Sequence, residues 1–352
     1  MSQTRADFIV IGSTPLARLV AGLLASVHGK SVVFSGESQS AYRLPRGIDL
    51  SVASITRPQT WSLLKTLVPE SLKLVSRVGG RGAWSRVDPV LFAERPTGRE
   101  ALAHIRHMAQ AFGHAVEPVA NVGVGREGIV LRDAALLHRA VLESGLDRWL
   151  EQHEVRRVMS KDGLTIHRDG RAELLSGEDR IDIGQSVLAD DRALLDHIPT
   201  SAWPTLLTRR IASTILTEPV KLIAAPVLLQ VDTGQMLLQS PTRGITAIGP
   251  GPLDDFAARL ATLLGQERAF RQAGQSRHEM VVSADNAPAV GRLAGTGPDV
   301  LVGFGPTGAF FAPALARWLC GVATEAESAW LGERLVDRVQ SPSAVAEVGV
   351  LP

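Results

Sequence analysis

Gly12-Ser-Thr-Pro-Leu-Ala17 follows a short apolar, β-branched run, Phe8-Ile-Val-Ile11, and leads a segment whose Leu16, Leu19, Val20, Leu23, Leu24 and Val27 recur at helical spacing. A turn of this kind can hold phosphate, because backbone N–H groups and the positive end of the helix converge on one point that glycines leave open. The full fingerprint, G-x-G-x-x-G, has three glycines; here Gly12 is the first, and Thr14 and Ala17 stand at the other two places. Both replacements are small, Ser13 adds a hydroxyl, and Pro15 suits the first turn of a helix. A second glycine-rich turn, Gly303-Phe-Gly-Pro-Thr-Gly-Ala-Phe310, lies near the other end of the chain between a strand pattern and a helix pattern. Three further groups of residues have chemistry of their own. Tyr42, Arg43, Arg46 and Gly47 share a polar loop, Asp190 and Asp191 are adjacent, and His104 and His107 fall on one face of a helical pattern. No carboxylate at matching spacing completes a metal site with the histidines, so no metal is expected. Adjacent aspartates on a strand point to opposite faces and do not make a catalytic pair by adjacency alone. Serine-hydrolase elbow, P-loop and metalloprotease helix are all missing from the sequence.

The elements that must position these residues begin with a strand-turn-helix-strand unit ending at Ser31–Phe34, followed by a long loop rich in turn formers, Ser35 to Gly47. Helical patterns follow at Gln59–Leu67, Glu100–Phe112 and Asp133–Leu150, with the glycine-rich Val78–Trp84 between the first two. Two alternating runs, Glu154–Met159 and Leu164–His167, joined by Lys161-Asp-Gly163, predict a hairpin. Ile181–Ala189 predicts a strand returning to the first sheet. Strand-like segments then dominate Ile211–Ile248, a helix is expected at Pro252–Leu264, a strand at Asp299–Val302, and a closing helix at Pro313–Ala323. Gln340–Pro352 has no periodicity and reads as a mobile tail. The expectation is an α/β protein. A Rossmann-like domain would be assembled from residues 1–80, 130–200 and 280–335, a second β-rich domain from 81–129 and 201–279, and 336–352 would be a tail.

The chain has 352 residues, 45 % of them hydrophobic, which suits two intimately connected domains better than one ordinary core. Thirty-seven basic and 36 acidic side chains leave a formal net charge of +1, so no global field would draw the protein to nucleic acid or to a charged membrane surface. No apolar run approaches the ~20 residues that span a bilayer. The N-terminus runs directly into the first strand without a signal-peptide layout, and the expected compartment is the cytoplasm. Cys320, the one cysteine, excludes an internal disulfide or a thiolate cluster and reads as a small buried apolar residue in a late helix.

Ser283-Ala-Asp-Asn-Ala-Pro-Ala-Val-Gly291, followed by Asp299-Val-Leu-Val-Gly-Phe-Gly-Pro-Thr-Gly-Ala-Phe-Phe-Ala-Pro313 and a helix, resembles the C-terminal signature of the FAD-dependent D-amino acid oxidase, glycine oxidase and D-amino acid dehydrogenase family. With the N-terminal unit and the return strand, the resemblance spans nearly the whole chain. It implies a glutathione-reductase-type FAD-binding domain with a β-rich substrate domain, and FAD as cofactor. It also implies oxidation of a C–N bond in an amine or amino-acid-like substrate by hydride transfer to the flavin. By resemblance, Gly303, Gly305, Pro306, Thr307, Gly308, Ala309 and Phe310 approach the flavin ring. Gly12, Ser13, Thr14, Pro15, Ala17, Ser35 and Val155 belong to the adenosine and diphosphate side, and Arg43, Arg46 and Gly47 reach the phosphates or a substrate acid. Tyr42 and Arg46 are the catalytic candidates.

Four departures from the family pattern fall at ligand positions. Thr14 and Ala17 replace glycines, and Ser35 stands where a carboxylate would take the ribose hydroxyls, with Glu37 two residues on as a substitute. Asp190 and Asp191 follow Ala189 where a small residue and glycine pass the cofactor, and two carboxylates there would repel a diphosphate unless they point away. The arginine that holds a substrate carboxylate in the family is replaced by Met280, next to Glu279, and Arg277 lies too early to take its part. These departures leave a second reading open, a non-catalytic or scaffold subunit of the same fold partnering an active flavoprotein.

Overall fold

A computed structural model describes residues 3–37, 44–120, 122–158, 163–176 and 179–339. The first strand, β1 (Gln3–Ile11), pairs in parallel on both sides, with β2 (Val32–Ser35) and with the return strand Asp179–Leu188. A strand flanked by parallel partners is covered on both faces, so its sequence reads as a continuous apolar run, and Ile9 and Val10 are fully buried. The connecting helix, α1 (Pro15–Ser26), is capped by the Thr14 side chain, which accepts from the Ala17 N–H at 3.4 Å, with proline in the first turn. Around this unit the first sheet runs in the order Ala289–Arg292, Asp299–Val302, Asp179–Leu188, β1, β2, Arg156–Val158. Ala172–Ser176 and Gly163–Ile166 extend it from the return strand.

The second sheet has eight strands, in the order Gln272–Ser283, Leu207–Thr217, Ile245–Pro250, Met236–Gln239, Val227–Gln230, Val90–Ala93, Glu127–Leu131 and Val116–Val119. The helix Leu253–Leu264 buries Phe256, Leu260 and Leu264 on one apolar cluster with strand residues such as Ile215 and Ala247. This is the α/β architecture expected, with one sheet built on a parallel core and a second, largely antiparallel one.

Four local expectations are corrected. Arg156–Val158 and Gly163–Ile166 do not form a hairpin with each other: the first lies parallel to β2, and the second turns back at His167–Arg171 onto Ala172–Ser176. Gly170, at φ +81°, supplies the left-handed residue that this tighter turn needs. The helix expected from Asp133 starts only at Arg139, because Ala134–Leu137 pairs as a strand with Trp84–Val87. Cys320 is half-buried at the end of the helix Ala312–Leu319 rather than inside the core. The helix expected over Gln59–Leu67 also runs further, from Pro58 to Gly79, past Pro69. Gln340–Pro352 lies outside the described residues. Among the described residues no helix is long and apolar enough to cross a membrane, and no three His, Cys, Asp or Glu side chains gather as a metal site. His104 instead donates through Nε2 to the Thr56 carbonyl at 2.8 Å.

Candidate active site at the junction of the two sheets

The turn after β1 is held from several directions. Gly12 N–H donates to the Ser35 carbonyl at 2.9 Å, tying the turn to the end of β2. Arg18, fully buried one turn into α1, reaches back to the Ser13 carbonyl at 3.1 Å, pairs with Asp147 at 3.3 Å and lies over the Phe34 ring. Gly36 is pressed onto the turn so closely that an added Cβ would fall 1.8 Å from the Gly12 carbonyl oxygen.

The register of the return strand then decides what faces the helix N-terminus. Leu188 lies opposite Ile11 and Ala189 N–H donates to the Ile11 carbonyl at 2.8 Å, which brings Asp190 to Ser13. Asp190 Oδ2 accepts from the Ser13 N–H at 2.5 Å. Its Oδ1 accepts from the Ala193 N–H at 2.8 Å and caps the helix Asp191–His197. A Cβ added to Gly12 would stand 3.0 Å from Asp190 Oδ2, so the carboxylate covers the bare face of the fingerprint glycine. Burial pushes the Asp190 carboxyl up, while the N–H groups of Ala193, Ser13 and Thr14 and the charge of Arg46 hold it down. Asp190 therefore points at the turn, not away from it.

Beside this turn a cavity of about 270 Å³ opens between the sheets, near the lower end of the ~300–1,000 Å³ common for small-molecule sites. Its floor is the second glycine turn. Gly303 and Gly305 have φ of +77° and +54°, left-handed values that favour glycine, and Pro306 is fixed by its carbonyl accepting from the Leu50 N–H at 2.9 Å. Arg46 enters from the loop after β2, which the Thr214 hydroxyl anchors by donating to the Pro45 carbonyl at 2.7 Å. The opposite wall comes from the second sheet and includes Arg210, Gln235, Met236, His278 and Met280.

Besides Asp190, two groups in this cavity have shifted acidities. Asp191 is pushed up to about 7 by burial and by the neighbouring Asp190, against the Val281 N–H that donates to it at 3.0 Å and against Arg46. His278 is lowered to about 4 by burial and by Arg46, so its ring is neutral at neutral pH. Its Nδ1 is buried without a hydrogen-bond partner, and the residue lines the cavity.

Of the residues expected at the site, the cavity brings together Thr14, Arg46, Gly47, Gly303, Gly305, Pro306, Gly308 and Ala309. Gly12, Ser13, Pro15, Ala17, Ser35 and Val155 belong to the turn, to α1 and to the strands beside them, outside the cavity wall. Thr307 and Phe310 turn into the core: the Thr307 hydroxyl donates to the Phe304 carbonyl at 2.9 Å, and Phe310 is fully buried. Tyr42 and Arg43 lie outside the described residues. Arg277 is exposed and off the wall. Asp191 is expected beside the ligand from the sequence, whereas nothing local in the sequence marks His278, Arg210 or Gln235 for the cavity.

The ring half of an FAD fits these residues, because the turn with its positive-φ glycines brings backbone rather than bulky side chains to the cavity. The diphosphate half meets Asp190 on the Ser13 N–H and Gly36 on Gly12, and fits that turn only with the Asp190 carboxylate displaced.

No family model matches the sequence, and no curated protein matches it. Solved structures do match in fold. An L-proline dehydrogenase from P. horikoshii superposes with a TM-score of 0.70 over 94 % of this chain and 97 % of its own, at 14 % identity. An L-amino acid deaminase from Proteus vulgaris, lacking its specific insertion sequence, gives 0.69 over 96 % and 95 % at 14 % identity. A glycine oxidase from Geobacillus kaustophilus gives 0.69 over 96 % and 100 % at 11 % identity. The fold of this chain is that of these solved structures, over 94 to 96 % of its length.

Proposed function

We propose that the protein is an FAD-dependent oxidoreductase that oxidises the C–N bond of an amine or amino-acid-like substrate. The observation that carries this is the cavity at the sheet junction, where a glycine floor for a planar ring faces a wall holding a cation, a neutral imidazole and a carboxylate near its midpoint. The flavin supplies the chemistry, accepting a hydride from the carbon next to nitrogen. The chain's part is to bind, orient and deprotonate. Arg46 pairs with a substrate carboxylate, in place of the arginine missing before Asp285. His278, neutral, offers its unpartnered Nδ1 to a polar group of the substrate. Asp191, poised at about 7, takes a proton from the substrate ammonium, because a base works best with its midpoint near the working pH.

In this reading the sheet that carries β1 serves the cofactor and the second sheet serves the substrate. The cytoplasm expected from the sequence is part of the same proposal. A second reading, a non-catalytic subunit of this fold beside an active flavoprotein, is favoured by Asp190 standing on the Ser13 N–H. Titrating the purified protein with FAD while following its melting temperature separates the two. At 100 times the dissociation constant a bound ligand stabilises the fold by about 2.7 kcal/mol, and an unmoved melting temperature at high FAD supports the second reading.

A further inference from the structure

Ser13 N–H has one proton to donate, and in the described structure Asp190 Oδ2 accepts it at 2.5 Å. The same carboxylate covers the glycine face of the turn, at 3.0 Å from where a Gly12 Cβ would be. It is not a surface side chain that has swung in. The register Ile11 opposite Leu188 delivers it, and its second oxygen is committed to the Ala193 N–H at 2.8 Å. A carboxylate and a phosphate ask the same thing of a helix N-terminus, namely N–H donors aimed at a negative oxygen. The end of α1 is thus already neutralised from within the chain.

We propose that Asp190 is a built-in competitor for the cofactor's diphosphate: it holds the phosphate-binding turn in the absence of ligand, and FAD binds only by displacing it. This rests on the reading that the chain binds FAD. The consequence is a protein whose affinity for FAD is set chiefly by one side chain, held on the phosphate-binding turn at the rim of the cavity. The ring contacts at Gly303–Ala309 are independent of it, because that turn lies across the cavity floor on a different strand and hydrogen-bonds to Leu50.

The helix cap gives the proposal a sharp control. Asp190 also caps the helix Asp191–His197, so a purely structural role would be served by any good cap. Serine caps well but is too short to span both Ala193 and Ser13. Asp190→Ser and Asp190→Asn are therefore compared with the wild-type full chain for binding of FAD and of riboflavin, which shares the ring and lacks the diphosphate. Binding is read by flavin fluorescence, and folding is verified by circular dichroism.

Asp190→Ser should tighten FAD by roughly tenfold to a hundredfold, the worth of one charge-assisted hydrogen bond returned to the ligand, and leave riboflavin within about twofold. Asp190→Asn, which removes the charge but keeps the size, should give a smaller gain. Wild-type protein that binds FAD as tightly as folded Asp190→Ser overturns the proposal and leaves the FAD reading standing. Folded wild-type and variant proteins that all fail to bind FAD overturn both. Equal gains for FAD and riboflavin would also overturn it, since the effect would not then involve the diphosphate.

Discussion

Gly22 lies in the middle of α1, where Trp149 of the helix Arg139–Gln152 rests on its bare Cα. A Cβ added there would stand 2.1 Å from Cζ3, 2.5 Å from Cε3 and 2.6 Å from Cη2 of the indole. Carbon atoms in contact prefer about 3.5–4.0 Å, so the overlap exceeds an ångström. Two effects oppose each other in Gly22→Ala. Alanine gains about 1 kcal/mol of helix propensity over glycine. Overpacking a filled interior costs about 1–3 kcal/mol, and three short contacts with one rigid ring put this site at the upper end. Packing wins, and the expected net loss is about 2 kcal/mol. Urea unfolding followed by circular dichroism measures it, with the slope of the transition checked against wild type, because a chain with two sheets need not unfold in one step. Trp149→Leu in the Gly22→Ala background should recover part of the loss, and the coupling between the two changes should be of order 0.5–3 kcal/mol. Because α1 carries the Ser13–Thr14 turn at its start, the single variant should weaken FAD binding as well. A Gly22→Ala protein as stable as wild type, or more stable, would refute the packing account of this helix pair.

Arg46→Ala should weaken binding of benzoate, a carboxylate with no amine to oxidise, by roughly tenfold or more in calorimetric titration, since a charge-assisted contact is worth about 1.5–3 kcal/mol. Binding of the same probe should fall as pH rises through about 7, where Asp191 gains its charge beside Asp190 and Arg46, and Asp191→Asn should flatten that profile. His278 stays neutral above about 4 and adds no step of its own in this window. For stability the sign follows from the same raised acidity. The Asp191 contribution is fully present below the ordinary carboxylate range, is lost progressively as pH rises toward about 7 and is gone above it, so Asp191→Asn should gain in melting temperature relative to wild type as pH rises from the carboxylate range and hold that gain above about 7. Gly303→Ala forces a side chain into φ +77° and should cost about 1–2 kcal/mol in unfolding measurements, with a matching loss of riboflavin affinity at the cavity floor.

Much of this site can be read in the sequence because it rests on local patterns. The unit β1–α1–β2 shows itself through Phe8–Ile11 and the helical spacing from Leu16 to Val27, and the cavity floor through the glycines between Asp299–Val302 and the closing helix. What was hidden depends on pairing. Asp190 and Asp191 are visible at the end of a return strand, but only the register of that strand on β1 aims Asp190 at Ser13 and leaves Asp191 to Val281. His278 lies between Arg277 and Glu279 in a run of polar residues, with nothing local to mark it as the one turned inward by the packing of the second sheet. Ala134–Leu137 has the composition of a helix start, and pairing with Trp84–Val87 overrides that propensity. Ser35, where the resemblance leads one to expect a ribose-binding carboxylate, is a short side chain nearly fully buried at the end of β2.

The most direct test of C–N oxidation at this cavity is anaerobic addition of amino acids and secondary amino acids to the FAD-loaded protein, with the oxidised flavin band followed by absorbance. Bleaching by a substrate that carries both an amine and a carboxylate, lost in Arg46→Ala at the same substrate concentration, is the predicted result. A fully FAD-loaded protein whose spectrum is unmoved by every amine offered would contradict the account.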